Sequence, residues 1–78
     1  MTSAEPPTRT QFLAAYRAEL EQAGYRAATS KPILRHAERS IDAGGGWSPG
    51  LSYYAQRAWT AIGGAGRVSL EKLRGLPE

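Results

Sequence analysis

Two glycine clusters constrain this chain more than any other feature. Gly44-Gly45-Gly46 and Gly63-Gly64-Ala65-Gly66 interrupt stretches whose apolar residues recur at helical spacing. Each glycine inside a helix costs about 1 kcal/mol relative to alanine, so a helix does not run through three of them. With Gly24 as a further break, the 78 residues fall into four short segments. None alternates with period two over five residues, so the expected fold is all-α, a compact bundle of three main helices plus a short C-terminal one.

The first segment carries the clearest start signal. Thr8 and Gln11 have the spacing of a capping box, Pro7 can staple onto Phe12, and Gly24 supplies the stop. Steps of 100° place Phe12, Leu13, Tyr16, Leu20 and Ala23 in one stripe. Residues 1–7, with two prolines and no apolar period, read as a flexible tail ahead of a single helical domain over 8–78. Tyr25 to Thr29 reads as a connector. Ser30 before Lys31-Pro32 then suits the first turn of a second helix reaching about Ala43, with Ile33, Leu34, Ala37 and Ile41 facing inward.

Ser48-Pro49 opens a third helix by the same cap-then-proline chemistry. Leu51, Tyr54, Ala55, Ala58, Trp59, Ala61 and Ile62 cover nearly half its circumference, the pattern of a central helix. Beyond the second glycine cluster, Ser69 can cap a short fourth helix, with Val68 stapled on Leu73 and with Leu70 and Leu76 available for docking.

The absence of cysteine removes both a disulfide framework and a thiolate zinc site, so apolar packing has to hold so small a domain. Ten Lys+Arg against seven Asp+Glu leave a net charge of +3, which permits contact with phosphate or acidic partners without proving it. No run of 18 apolar residues and no signal-peptide pattern is present, so the expected location is cytoplasmic, with no membrane partner.

Enzymatic chemistry finds little to work with. The lone His36 lies between the apolar and charged faces of the second helix, with no cysteine nucleophile to activate and no His-x3-His or Glu-x-x-His spacing to share a metal. Glu38 and Asp42 share a helix face but sit among arginines that hold both ionised. The expectation is a non-enzyme with no catalytic residues, no metal and no cofactor.

Two basic sets are candidates for nucleic acid. Lys31, Arg35 and Arg39 fall at i, i+4 and i+8 on the outer side of helix two, interleaved with Glu38 and Asp42. Arg67, Lys72 and Arg74 surround the second glycine cluster, whose Gly-x-x-Gly turn resembles the phosphate-clamping loop of KH domains. KH domains add a three-stranded sheet that this chain does not supply, and the Gly-Lys-Ser/Thr ending of a nucleotide P-loop is missing. Helix three, the turn and helix four also make a helix-turn-helix outline, with Arg67, Ser69, Lys72 and Arg74 towards DNA. The alternative is a protein-binding patch made of Trp47, Tyr53 and Arg57, in which Tyr53 lies one turn before Arg57 on the polar side of helix three. The broad apolar face of that helix leaves self-association as a third reading.

The stretch Ala58-Trp59-Thr60-Ala61-Ile62-Gly63-Gly64-Ala65-Gly66, continuing Val68-Ser69-Leu70-Glu71-Lys72-Leu73-Arg74-Gly75-Leu76-Pro77, resembles small helical proteins of uncharacterised role from actinobacteria and their phages. Thr10 to Leu20 has the same character. The resemblance implies an accessory product of a phage or mobile element, a class that includes DNA-binding regulators and inhibitors of host proteins. It implies no catalytic residue.

Overall fold

The computed structural model describes residues 7–45 and 53–77. Four helices follow in order: α1 over Arg9–Gln22, α2 over Ala27–Ala43, α3 over Tyr53–Ala61 and α4 over Leu70–Arg74. No strand occurs among the described residues, and no helix there is long and apolar enough to cross a membrane. The tail before Pro7, Trp47, the Ser48-Pro49 start and Leu51 lie outside the described residues.

Local chemistry sets α1 as its sequence predicts. The Thr8 hydroxyl accepts the Gln11 N–H at 3.1 Å and the Gln11 side chain accepts the Thr8 N–H at 2.9 Å, so two of the helix's orphan donors are satisfied reciprocally. A third orphan, the Arg9 N–H, donates to the Pro77 carbonyl at 2.7 Å, which ties the end of the described chain to the start of α1. At the other end Tyr25 N–H bonds Leu20 O and Gly24 N–H bonds Glu21 O, both at 3.0 Å, a Schellman closure that needs the φ of +98° adopted by Gly24. Phe12, Tyr16 and Leu20 are buried. Ala23, expected in the same stripe, is exposed because the chain is already turning away there.

Helix α2 begins earlier than the Ser-Lys-Pro signal indicates. Its first residue is Ala27, and Ser30 is not a cap but a buried residue, only 2% exposed, whose hydroxyl donates back to the Ala27 carbonyl. The Thr29 and Ser30 N–H groups both reach the Arg26 carbonyl at 2.9 Å and close the first turn ahead of Pro32. The proline therefore sits in the second turn, where it forfeits one bond to the carbonyl of Ala28. Ala28 is exposed, so water can serve that carbonyl, and the added turn puts Ser30 on the same face as Ala37 and Ile41.

Packing gives the central place to α1, not to α3. Helix α1 packs against both α2 and α3, while α4 packs against α2. The reason lies in side-chain size. Phe12, Tyr16 and Leu20 project from α1, whereas α3 offers chiefly Ala55 and Ala58, with Trp59 at its far end. The breadth of the α3 apolar face reflects small residues that admit a close neighbour; Ala61, expected inward, is exposed.

Ser69 caps α4 by accepting the Lys72 N–H at 3.2 Å, and Val68 and Leu73 complete the core. The order helix, turn, helix is present, but the second helix is five residues long and seated on α2.

Candidate nucleic-acid interface

Helix α2 turns Ser30, Ala37 and Ile41 inward, which at 100° per residue leaves Lys31, Arg35 and Arg39 on the opposite side. The three cations stand on successive turns, spanning about 12 Å of helix axis. All are exposed, and none has a hydrogen bond or a carboxylate partner among the described residues. With Pro32 and His36 they line a shallow groove of about 220 Å³. Like charges at i, i+4 cost only about 0.2–0.5 kcal/mol per pair, so the fold tolerates the row at little expense while its field faces solvent.

The carboxylates expected to dilute this row behave differently from each other. Asp42 is bound by Arg9 of α1 and so has a cation of its own. Glu38 is exposed and unpaired among the described residues. Of the described arginines, Arg17 pairs with Glu21 at 3.1 Å and Arg57 with Glu19 at 2.7 Å. The free cations of the described residues are thus concentrated on α2.

The second basic set is held by the glycine turn itself. Lys72 Nζ donates to the carbonyls of Arg67 at 2.7 Å and Ala65 at 3.3 Å. Trp59 Nε1 also reaches Ala65 O at 3.2 Å. Gln56 donates to Gly66 O at 3.2 Å and accepts the Val68 N–H at 2.8 Å. Gly64 lies flat on the Trp59 indole, so close that a Cβ there would overlap the ring. Arg74 lays its guanidinium over Gly44, at the C-terminal end of α2, where exposed carbonyls favour a cation. Arg67 and Arg74 are exposed, and neither side chain has a hydrogen bond or ion pair among the described residues.

Of the six basic residues singled out from sequence, then, Lys31, Arg35 and Arg39 share one face and Arg74 reaches the end of the same helix. Arg67 and Lys72 stay at the turn. Sequence reasoning missed Gln56 and Trp59 as organisers of that turn, and no spacing signals them, since Gln56 meets Val68 from twelve residues away. It also left His36 outside the basic face, although its position three residues before Arg39 and four after Pro32 places it beside that face.

The aromatic patch forms a separate surface. Tyr53, at 66% exposure, and Tyr25, at 39%, are the exposed large apolar side chains among the described residues. Both contact Tyr54 edge to face, with ring centroids 5.3 and 5.8 Å away. Arg57 sits 5.5 Å from the Tyr53 ring centroid and donates to its hydroxyl at 3.2 Å. The Glu19 carboxylate first, then Tyr53, hold the Arg57 guanidinium above its already high ordinary pKa. Its charge is therefore matched within the protein. Trp47, the third member expected here, lies outside the described residues.

Among the described residues no group of three His, Asp or Glu side chains could hold a metal ion. Comparison of the chain with protein-family models, with curated proteins and with solved structures finds no match.

Proposed function

We propose that this chain works by binding, and that it binds the phosphate backbone of nucleic acid through the outer face of α2. The observation that carries the reading is the row of Lys31, Arg35 and Arg39, three neighbouring cations with no partner among the described residues, in a chain that pairs Arg9, Arg17 and Arg57 with carboxylates. Such a row, contributed by one rigid helix, suits contact with phosphates, which position a protein on the polyanion without reading its sequence. Arg74 extends it at the end of α2, and Arg67 adds a contact only if the polyanion wraps towards the turn. An accessory product of a phage or mobile element, as the resemblance implies, is a setting in which such binding has a use.

The test is a salt titration of binding to mixed-sequence duplex DNA, followed by fluorescence anisotropy. The logarithm of affinity should fall linearly with the logarithm of salt concentration, by about 0.9 per phosphate contacted. The combined substitution Lys31→Ala, Arg35→Ala, Arg39→Ala should flatten that slope. No binding at low salt, or an unchanged slope in the triple variant, overturns the reading.

A second reading is supported by the continuity of Tyr25, Tyr54 and Tyr53 with the Arg57–Glu19 pair. A rigid, exposed tyrosine with a fixed guanidinium beside it is the composition of a protein-binding hot spot. On this reading Tyr53→Ala abolishes capture of a host or phage protein from nuclease-treated lysate, and the α2 triple variant retains it. Retained capture by Tyr53→Ala removes it.

A further inference from the structure

Among the residues lining the α2 groove, His36 is the titratable one without a role in the reading above. It is exposed, lines the same groove as Lys31, Arg35 and Arg39, and makes no hydrogen bond or ion pair among the described residues. No described carboxylate lines that groove. The charged groups on the elements packed against α2 are Arg9, Arg17, Glu19 and Glu21 of α1 and Glu71, Lys72 and Arg74 of α4, and none of them lines it. On α2 itself, Asp42 is held by Arg9, and Glu38 is the unpaired acid of the helix among the described residues.

We propose that His36 is a proton-dependent fourth cation of this face, so that binding of a phosphate backbone takes up a proton and tightens as pH falls. The inference rests on the nucleic-acid reading and adds its regulation. A neutral imidazole offers a phosphate one N–H donor, whereas the imidazolium offers two and a full charge. Histidine is the side chain whose ordinary charge change falls between pH 5 and 8. A phosphate seated in the groove favours the charged ring because an opposite charge within about 4–6 Å stabilises it. The ring then carries more proton in the complex than in the free protein, and linkage requires affinity to rise on acidification, by at most tenfold per pH unit for one site.

The experiment compares anisotropy titrations of labelled duplex at pH 5.5 and pH 8.0, at one ionic strength, for the unaltered chain and for His36→Gln, which keeps a hydrogen-bonding side chain of similar size without the titration. The unaltered chain should bind several-fold more tightly at pH 5.5, with its salt slope steeper by about 0.9. His36→Gln should bind equally at both values, with a circular dichroism spectrum unchanged because the residue is exposed. Equal binding by the unaltered chain at both pH values, or the same pH response in His36→Gln, overturns the inference and leaves the nucleic-acid reading standing. Absence of binding at both pH values overturns both.

Discussion

The two basic regions of this chain use the same residue types to opposite ends. On α2, Lys31, Arg35 and Arg39 face solvent with nothing to bind among the described residues. At the glycine turn, Lys72 is drawn onto the carbonyls of Ala65 and Arg67. The difference lies in the backbone beneath them. Within α2 the carbonyls, apart from that of Ala28 which Pro32 leaves to water, accept the N–H four residues on, so a side-chain ammonium finds few acceptors there. In the turn between α3 and α4 the carbonyls of residues 65–67 belong to exposed residues and have no helical partner, so each is open to a side-chain donor. Trp59, Gln56 and Lys72 supply it. A cation on a straight helix is thus available to a partner, and a cation beside an irregular turn belongs first to the fold.

That contrast is broken most directly through stability. Gly64→Ala should have the largest effect, about 3 kcal/mol of destabilisation, because the added methyl overlaps an indole that is itself buried and cannot retreat. Against the roughly 4–12 kcal/mol expected for a domain of this size, urea denaturation should show a midpoint shift too large to miss. An unshifted midpoint would mean that the turn does not rest on Trp59.

Lys72→Ala comes next. It removes the donor to two turn carbonyls, both solvent-accessible, and should cost about 1 kcal/mol in the same assay. If Lys72 serves the fold and not a ligand, the salt slope of DNA binding stays at its original value. A slope that flattens as much as in Arg35→Ala would erase the distinction between the two regions.

The α2 triple variant should show the reverse pattern. Its stability should stay within about 0.5 kcal/mol, as expected of exposed substitutions, or rise slightly as like charges are removed. Its DNA affinity and salt slope should fall together. Smallest of all is the expected effect of Arg57→Ala on DNA binding, since Glu19 already matches that charge. Its salt slope should overlay that of the unaltered chain.

Legibility in the sequence followed the range of the interactions concerned. The start and stop of α1 were readable because Thr8, Gln11 and Gly24 act within four residues of the groups they satisfy. Ser69 was readable as a cap for the same reason. The early start of α2 was not, because the Ser-Lys-Pro signal competes with the burial of Ser30, and burial depends on neighbours distant in the chain. The breadth of the α3 apolar face suggested a central helix, yet its alanines are the partners of larger side chains on α1. Among the site residues, the Lys31, Arg35, Arg39 row followed from spacing alone. The diversion of Asp42 to Arg9, thirty-three residues away, did not.

The sequence by itself determined an all-α chain cut by glycine clusters, the caps that begin α1 and α4, and a row of three cations on one side of α2. These are set by periodicity and by contacts within a turn or two of chain. Tertiary structure alone decided which helix lies at the centre, that α4 seats on α2, and which cations are paired among the described residues and which are not. Each of those outcomes depends on groups far apart in sequence, such as a carbonyl orphaned by a turn or a carboxylate claimed from another helix, and they meet only once the core has formed.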